Sequence, residues 1–221
     1  MTLQIDKFIL GPLENNTYLI SDSQTRQAVV IDPSFNVAEV IDKIGQEKLT
    51  LQAVWLTHGH FDHFAGASQL IRSVSYPADM LIHEKDFDLW QDGGEAGMAG
   101  CVVDMSASPN VLLQDDQSIT LGAYTFKVLP TPGHTRGHVT YYDAKEAVAF
   151  CGDLIFRYSI GRTDLNGGDF FALMNSIRTH ILTMPPDTIL YSGHGKNSTI
   201  REQIQSNPFL TLQNPQPGSH E

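Results

Sequence analysis

Apolar residues in this chain fall into short runs separated by turn-forming residues, and the runs predict strands more often than helices. Residues 3–10 mix apolar and polar positions in near alternation, the pattern of a half-buried strand. Residues 17–21 and 28–31 are β-rich runs with Ser21-Asp22-Ser23 as a turn between them, and Asp32-Pro33 ends the third strand. Val37, Val40, Ile41 and Ile44 are spaced for one face of a helix that Gly45 helps to end. Residues 51–56 are a buried-type strand that runs into Thr57-His58-Gly59-His60-Phe61-Asp62-His63, and residues 64–74 predict a helix.

The second half repeats this sequence of elements. A strand at 79–83 and a short helix at 84–90 precede residues 92–110, rich in Gly, Ser and Met, which read as a long loop. Such a loop is a lid, a binding loop or a disordered segment. Strands follow at 124–129, 139–142 and 147–150, then a helix at 170–182, a strand at 188–191 and a helix at 198–205. Residues 207–221 contain several prolines and little to bury, and predict a frayed tail. Two halves of strands followed by helices suggest two packed sheets with helices outside. The fold class is α/β or α+β, in one domain.

Composition narrows the functional classes. The 221 residues carry a formal charge of −11, with histidines counted as neutral. So acidic a chain argues against a nucleic-acid binder, which needs Lys and Arg to displace counterions from phosphate. No apolar run approaches the length of a membrane span, and the N-terminus shows no signal-peptide pattern, so the expected localisation is cytoplasmic. Cys101 and Cys151 make no disulfide framework.

The chemistry is concentrated after the strand at 51–56. His58, His60, Asp62 and His63 place metal-competent side chains within six residues. In extended backbone, alternate residues point the same way, so His58, His60 and Asp62 are expected to face one pocket, with His63 joining from the next helix. Imidazole with carboxylate suits zinc, iron or manganese. His134, Asp153 and His194 each lie beyond a predicted strand and beside glycine, which lets the backbone pack closely around a crowded site. One ion takes about four ligands, so this many candidates suggest two ions.

The order His-x-His-x-Asp-His, then His134, Asp153 and His194, resembles the metallo-β-lactamase superfamily from about Phe8 to Leu210. Thr131-Pro132-Gly133-His134-Thr135 with Gly137-His138, and Gly152-Asp153, look like the glyoxalase II (hydroxyacylglutathione hydrolase) group. The stretch from Ile160-Gly161-Arg162-Thr163-Asp164-Leu165 to Gly167-Gly168 looks like its short, single-domain bacterial members, as does Asn207-Pro208-Phe209-Leu210. The resemblance implies an αββα sandwich spanning residues 1–210, a flexible tail at 211–221, and a site along one edge of the sheets. It implies two divalent ions, zinc by default with iron or manganese as alternatives. His58, His60 and His134 would hold the first, Asp62, His63 and His194 the second, and Asp153 would bridge them. It also implies a small-molecule thioester substrate such as S-lactoylglutathione, cleaved by a metal-bridging hydroxide, with Asp62 and Asp153 as the catalytic carboxylates.

Some residues carry lesser expectations. Asp32 and His138 are candidates to orient ligands by hydrogen bonds, or are ordinary buried polar residues. Arg162 would grip an anionic substrate or pair with Asp164 or Asp169, and Lys196 would attract a carboxylate or simply be solvated. Cys151 reads as a small buried residue. The two-domain glyoxalase II enzymes carry a helical domain beyond this length, and tyrosines where this chain has Lys196 and Asp164, so the thiol carrier is open. Persulfide dioxygenases share the fold and use one iron on positions matching His58, His134 and Asp153; they are the main rival. A non-catalytic metal-binding module is a third class, disfavoured because every ligand position is intact.

Overall fold

The computed structural model describes residues 2–211. The first half builds β1 (Leu3–Leu10), β2 (Asn15–Asp22), β3 (Gln27–Ile31), α1 (Ala38–Gln46), β4 (Thr50–Trp55), α2 (Phe61–Phe64), α3 (Ala67–Arg72), β5 (Asp79–His83), α4 (Phe87–Gln91) and β6 (Val111–Leu113). These strands form one sheet in chain order, antiparallel from β1 to β3 and parallel from β3 to β6. The second half builds β7 (Ser118–Leu121), β8 (Tyr124–Pro130), β9 (Val139–Asp143), β10 (Val148–Gly152), the hairpin β11 (Ile155–Phe156) and β12 (Ser159–Ile160), α5 (Phe170–Ser176), β13 (Ile189–Ser192), β14 (Ser198–Thr199), α6 (Ile200–Ser206) and α7 (Pro208–Thr211). Its sheet runs β14-β13-β10-β9-β8-β7, with only the β10–β13 pair parallel.

Side-chain alternation divides the interior into three apolar layers. Along β3, Ala28 and Val30 face the helices of the first half, whereas Val29 and Ile31 face the second sheet. Along β4, Leu51 and Val54 face outward to the helices while Ala53 and Trp55 face the other sheet. On β10, Val148 and Phe150 point between the sheets and Ala149 and Cys151 point to α5 and α6. Central strands covered on both faces read as continuous apolar runs, which is why these strands are plain in the sequence. The architecture is the expected αββα sandwich.

Several boundaries differ from expectation. Of the predicted helix at 64–74, Phe64 is the last residue of α2 and only Ala67–Arg72 form α3; the Gly66 N–H between them bonds to the Pro33 carbonyl at 2.9 Å and so leaves the helical ladder. The helix predicted from 198 starts at Ile200, where Thr199 and Glu202 form a capping box. Strands β6, β7, β11 and β12 had no prediction; each has at most four residues, too few to show a period. Fraying was expected from Asn207. Instead Asn207 is buried, its side-chain amide donates to the Ser159 carbonyl at 2.9 Å, and α7 follows. Of the predicted tail at 211–221, only Thr211 lies within the described residues. Among these residues no helix is long and apolar enough to cross a membrane.

The loop at 92–110 is largely tied down. Cys101, Val103, Met105 and Ala107 pack against the outer layer of the first sheet. The Ser68 hydroxyl donates to the Asp104 carbonyl at 2.6 Å and accepts the Ala107 N–H at 3.0 Å.

Asp86, fully buried before α4, joins the two halves of the chain. It accepts the Gly59 N–H at 3.0 Å, the Gly137 N–H at 2.6 Å and the Thr135 hydroxyl. Burial pushes its carboxyl up, and these three donors work against that rise. Asp86→Ala strands three buried donors, and unsatisfied donors cost about 1–3 kcal/mol each. A loss of about 3 kcal/mol or more is expected from urea unfolding at neutral pH; a loss under about 1 kcal/mol would mean that water replaces the carboxylate.

Candidate metal centre

The candidate ligands converge at one edge of the sandwich, beyond the C-terminal ends of β4, β8, β10 and β13. Among the described residues three compact groups form, one of which, Asp32 with His58 and His63, overlaps the two that hold the expected ligands. Of those two, His58, His60 and His134 make one and Asp62, His63 and His194 the other; in each, one atom per residue lies within 4.8 Å of the others. Asp153 stands between them. Its Oδ1 is 3.4 Å from His63 Nε2, and its Oδ2 is 3.6 Å from His194 Nε2 and 3.7 Å from His134 Nε2.

The route to this convergence differs from the predicted one. β4 ends at Trp55, so His58 and His60 come from a loop, and His60 is extended (φ −77°, ψ 144°) as the residue that caps α2. Asp62 is in the first turn of α2 beside His63, not on a continuing strand. Alternation along a strand therefore does not explain the shared direction; the sharp entry into a one-turn helix does.

Hydrogen bonds fix which ring nitrogen each histidine presents. His134 Nδ1–H donates to the Arg162 carbonyl at 2.8 Å and His194 Nδ1–H to the Leu13 carbonyl at 3.0 Å. His63 Nδ1–H donates to Asp32 Oδ2 at 2.9 Å. Thr57 donates its hydroxyl to Asp32 Oδ2 at 2.6 Å, so its oxygen accepts His58 Nδ1–H at 3.0 Å. Each bond occupies Nδ1 and leaves the Nε2 lone pair facing the centre. His60 is the exception: its Nδ1 faces His134 Nε2 at 2.9 Å.

His58 Nε2, His63 Nε2 and Asp153 Oδ1 are buried and make no hydrogen bond. Uncompensated buried polar atoms are costly, and these, drawn from both candidate groups and from Asp153 between them, are atoms that bound cations would satisfy. The donor set, imidazole with carboxylate, fits borderline divalent ions.

The electrostatics divide along the same line. Burial, reinforced by the neighbouring imidazoles, holds His58 well below the usual histidine range and pushes His60 down to about 3. Burial also works against a charge on His63, yet Asp62, Asp153 and Asp32 outweigh it and hold that imidazole well above its usual range. Burial opposes ionisation of Asp153, but His63, His194 and His134 keep its carboxyl well below the carboxylate range. Burial thus keeps His58 and His60 as neutral lone-pair donors, whereas the carboxylates around His63 and His194 favour a positive charge there, which a bound cation in place of the ring proton would supply.

Asp32 is the hub beneath the centre. Besides His63 and Thr57 it takes the Thr57 N–H at 2.8 Å, so one carboxylate orients His63 directly and His58 through a hydroxyl. His138 makes no hydrogen bond to a candidate ligand. It bonds Thr131 Oγ1 at 2.9 Å and stacks on His58 with centroids 5.2 Å apart. Two glycines make room for the crowding. A Cβ at Gly152 (φ 42°) would strike Thr57 Oγ1 and sit 2.9 Å from His138 Nε2, and one at Gly193 would strike Asp153 Oδ1.

Arg162 enters the centre only through its carbonyl; its guanidinium forks onto Asp164 at 2.7 and 2.8 Å and is exposed. Lys196 is exposed beyond His194 and does not line the cleft over the centre. That cleft, about 670 Å³, has a largely apolar wall that includes Leu13, Phe61, Met98, Phe156, Ile160 and Leu165. Cys151 is buried, and burial pushes its thiol up, which suits packing rather than nucleophilic work. Thr57, Asp86 and Glu95, which lines the cleft, carried no expectation. A hydroxyl directly before the histidine run was a usable signal for Thr57; nothing local marks the other two.

A family model described as the metallo-beta-lactamase superfamily matches residues 10–194. The chain is 35% identical to hydroxyacylglutathione hydrolase GloC of Haemophilus influenzae, over 94% of this chain and 98% of that protein. Among solved structures it is similar to BLEG-1, described as a B3 metallo-beta-lactamase, at 38% identity and a TM-score of 0.88, covering 94% of this chain and all of that one. It is also similar to TTHA1623 in a di-iron-bound form, at 34% identity and a TM-score of 0.83, covering 93% and 100%. With the match spanning both candidate ligand groups and Asp153 between them, the chain belongs to the metallo-β-lactamase superfamily of metal-dependent hydrolases.

Proposed function

We propose that the chain hydrolyses small-molecule thioesters, with S-lactoylglutathione as the leading substrate, at a pair of divalent ions. The observation that carries this reading is the position of Asp153, whose carboxylate reaches both ligand groups: Oδ1 lies beside His63, and Oδ2 lies between His194 and His134. His58, His60 and His134 would hold one ion, Asp62, His63 and His194 the other, and Asp153 would bridge them. Two ions held there would polarise the thioester carbonyl and bring the pKa of a bound water toward neutrality. Zinc, iron and manganese all suit the donors, and the di-iron form of TTHA1623 keeps iron in view.

The chain's own groups do the remaining work. Asp62, on the floor of the cleft, accepts a proton from the attacking water at a carboxylate oxygen. The Arg162 and Leu13 carbonyls hold His134 and His194 in one tautomer through the cycle. The apolar wall keeps bulk water from the reacting carbon and strengthens every charge interaction inside. The persulfide dioxygenase reading needs only His58, His134 and Asp153. It leaves Asp62, His63 and His194 without a task, and the completeness of that second group favours hydrolysis.

Asp153→Ala is expected to lose at least one ion per chain. Its turnover should fall by more than the roughly 100-fold that even outer partners of ligands can cost. Metal analysis and kcat together decide this, and near-normal values of both would overturn the bridging role. Purified protein of known metal content, assayed with S-lactoylglutathione, with glutathione persulfide in an oxygen electrode and with a β-lactam, separates the activities. Two ions with thioester hydrolysis support the proposal; one iron with oxygen uptake, or β-lactam cleavage alone, replaces it. Asp32→Ala leaves His63 and Thr57 without their acceptor, and a 10- to 100-fold weaker hold on one ion is expected in a chelator titration, on the order seen for outer partners. Unchanged release of both ions would reduce Asp32 to a structural acceptor.

A further inference from the structure

The charge of the cleft rests on a residue that the sequence pattern did not single out. Glu95 leads into the turn at Ala96–Ala99 with a left-handed backbone (φ 67°). It is not free to swing away. The preceding Gly94 carbonyl accepts the Phe61 N–H at 3.0 Å, which seats the loop directly on the start of α2. Glu95 Oε1 accepts the Asn166 N–H at 3.2 Å and so ties this wall of the cleft to the facing one. Glu95 Oε2 stands 3.8 Å from His60 Nε2, too far for a hydrogen bond, and makes none among the described residues. The side chain is 15% exposed, open enough to meet a ligand and enclosed enough that water screens it weakly.

No Arg or Lys among the described residues bonds it, although Arg162 lies near enough to feel its charge. Among the described residues Arg162 is the only Arg or Lys lining the cleft, and both arms of its guanidinium are taken by Asp164. The same cleft is lined by the apolar Met98 and Leu165 and by the polar Ser159. A substrate held with its carbonyl at Asp62 and Asp153 therefore shares its cleft with the Glu95 carboxylate and a largely apolar wall.

We infer that Glu95 is a specificity-determining residue that selects against thiol carriers with a carboxylate close to the reacting sulfur. The inference rests on the thioester reading above and names the carrier class for it. The carrier it fits is uncharged next to the thiol. A glutathione thioester meets the condition only with both carboxylates projecting past the cleft mouth. The physical device is repulsion: like charges a few ångströms apart in a partly enclosed cleft cost more than in bulk water, and a built-in repulsive element is a common route to specificity.

The test uses the metal-loaded protein and two thiols that differ at one group, N-acetylcysteine and N-acetylcysteine amide, with affinities measured by calorimetry. The wild-type protein is expected to bind the amide about tenfold more tightly than the acid. Glu95→Gln, with its metal content measured and unchanged, is expected to bind the two alike, and Glu95→Ala to do the same. A merely structural role for Glu95 would change both affinities together and leave their ratio alone. Equal wild-type affinities, or a ratio that survives in both variants, overturn the inference. Equal wild-type affinities overturn the inference without any variant, so a variant that failed to fold would not shield it. Binding of free thiols needs no turnover, so its outcome is separate from that of the hydrolysis assay. A protein that cleaves the thioesters of both thiols equally well keeps its proposed reaction and loses this specificity.

Discussion

A cluster of imidazoles and carboxylates is buried at the edge of two apolar sheets, and each of its members must be held in place without consuming the atom it presents. Burial makes every unpaired polar atom costly, and the cost falls only where a cation satisfies it or a neighbour bonds it. The solution is consistent across the site. His58, His63, His134 and His194 each spend Nδ1 on a protein oxygen and keep Nε2 for the centre. Asp32 serves two of these histidines, and the Asp86 carboxylate fixes the loops that bear His58, His60 and His134. Removing either carboxylate would disturb several candidate ligands together, because the bonds share acceptors.

The strand ends explain why the centre forms where it does. β2 and β13 meet across the edge through the Asn16 N–H to the Gly193 carbonyl at 2.6 Å, and the Tyr18 hydroxyl bonds the Ser192 carbonyl at 2.7 Å. These contacts clamp the His194 loop of one sheet to the first sheet, which carries the histidine run. The two candidate groups are therefore assembled from both sheets, and sheet packing sets their spacing. Apolar area between the sheets stabilises the site indirectly. Tyr18 illustrates this, packing its ring edge-on against Phe150 and Tyr191 while its hydroxyl reaches the loop.

Much of this was legible in the sequence, for physical reasons that also mark the limit. Val29, Val30 and Ile31 stood out because a strand covered on both faces cannot alternate. His58, His60, Asp62 and His63 stood out because a metal-competent run of that density has few other uses. The short strands β6 and β7 were invisible because their partly exposed residues carry no period. The break at Gly66 was invisible because its cause, the Pro33 carbonyl, is brought up by the fold. Asp86 and Glu95 were missed for the same reason: an acidic residue in a loop looks solvated until tertiary structure decides what faces it.

The same distinction changes how the net charge should be understood. A formal −11 describes the chain without ions, and several of the acids behind it are turned inward. Asp32, Asp62 and Asp86 are buried, and Asp153 is largely so. Two divalent ions in the proposed sites would add four positive charges and bring the total to about −7. The acids that face the ions do not repel a substrate as surface acids would, since their charge is balanced locally. Glu95 differs from them because it lies in the cleft wall with an oxygen unbonded. With the proposed ions in place an anionic substrate would meet a nearly neutral centre and the Glu95 carboxylate, so the position of a single side chain would outweigh the total charge in deciding what can approach.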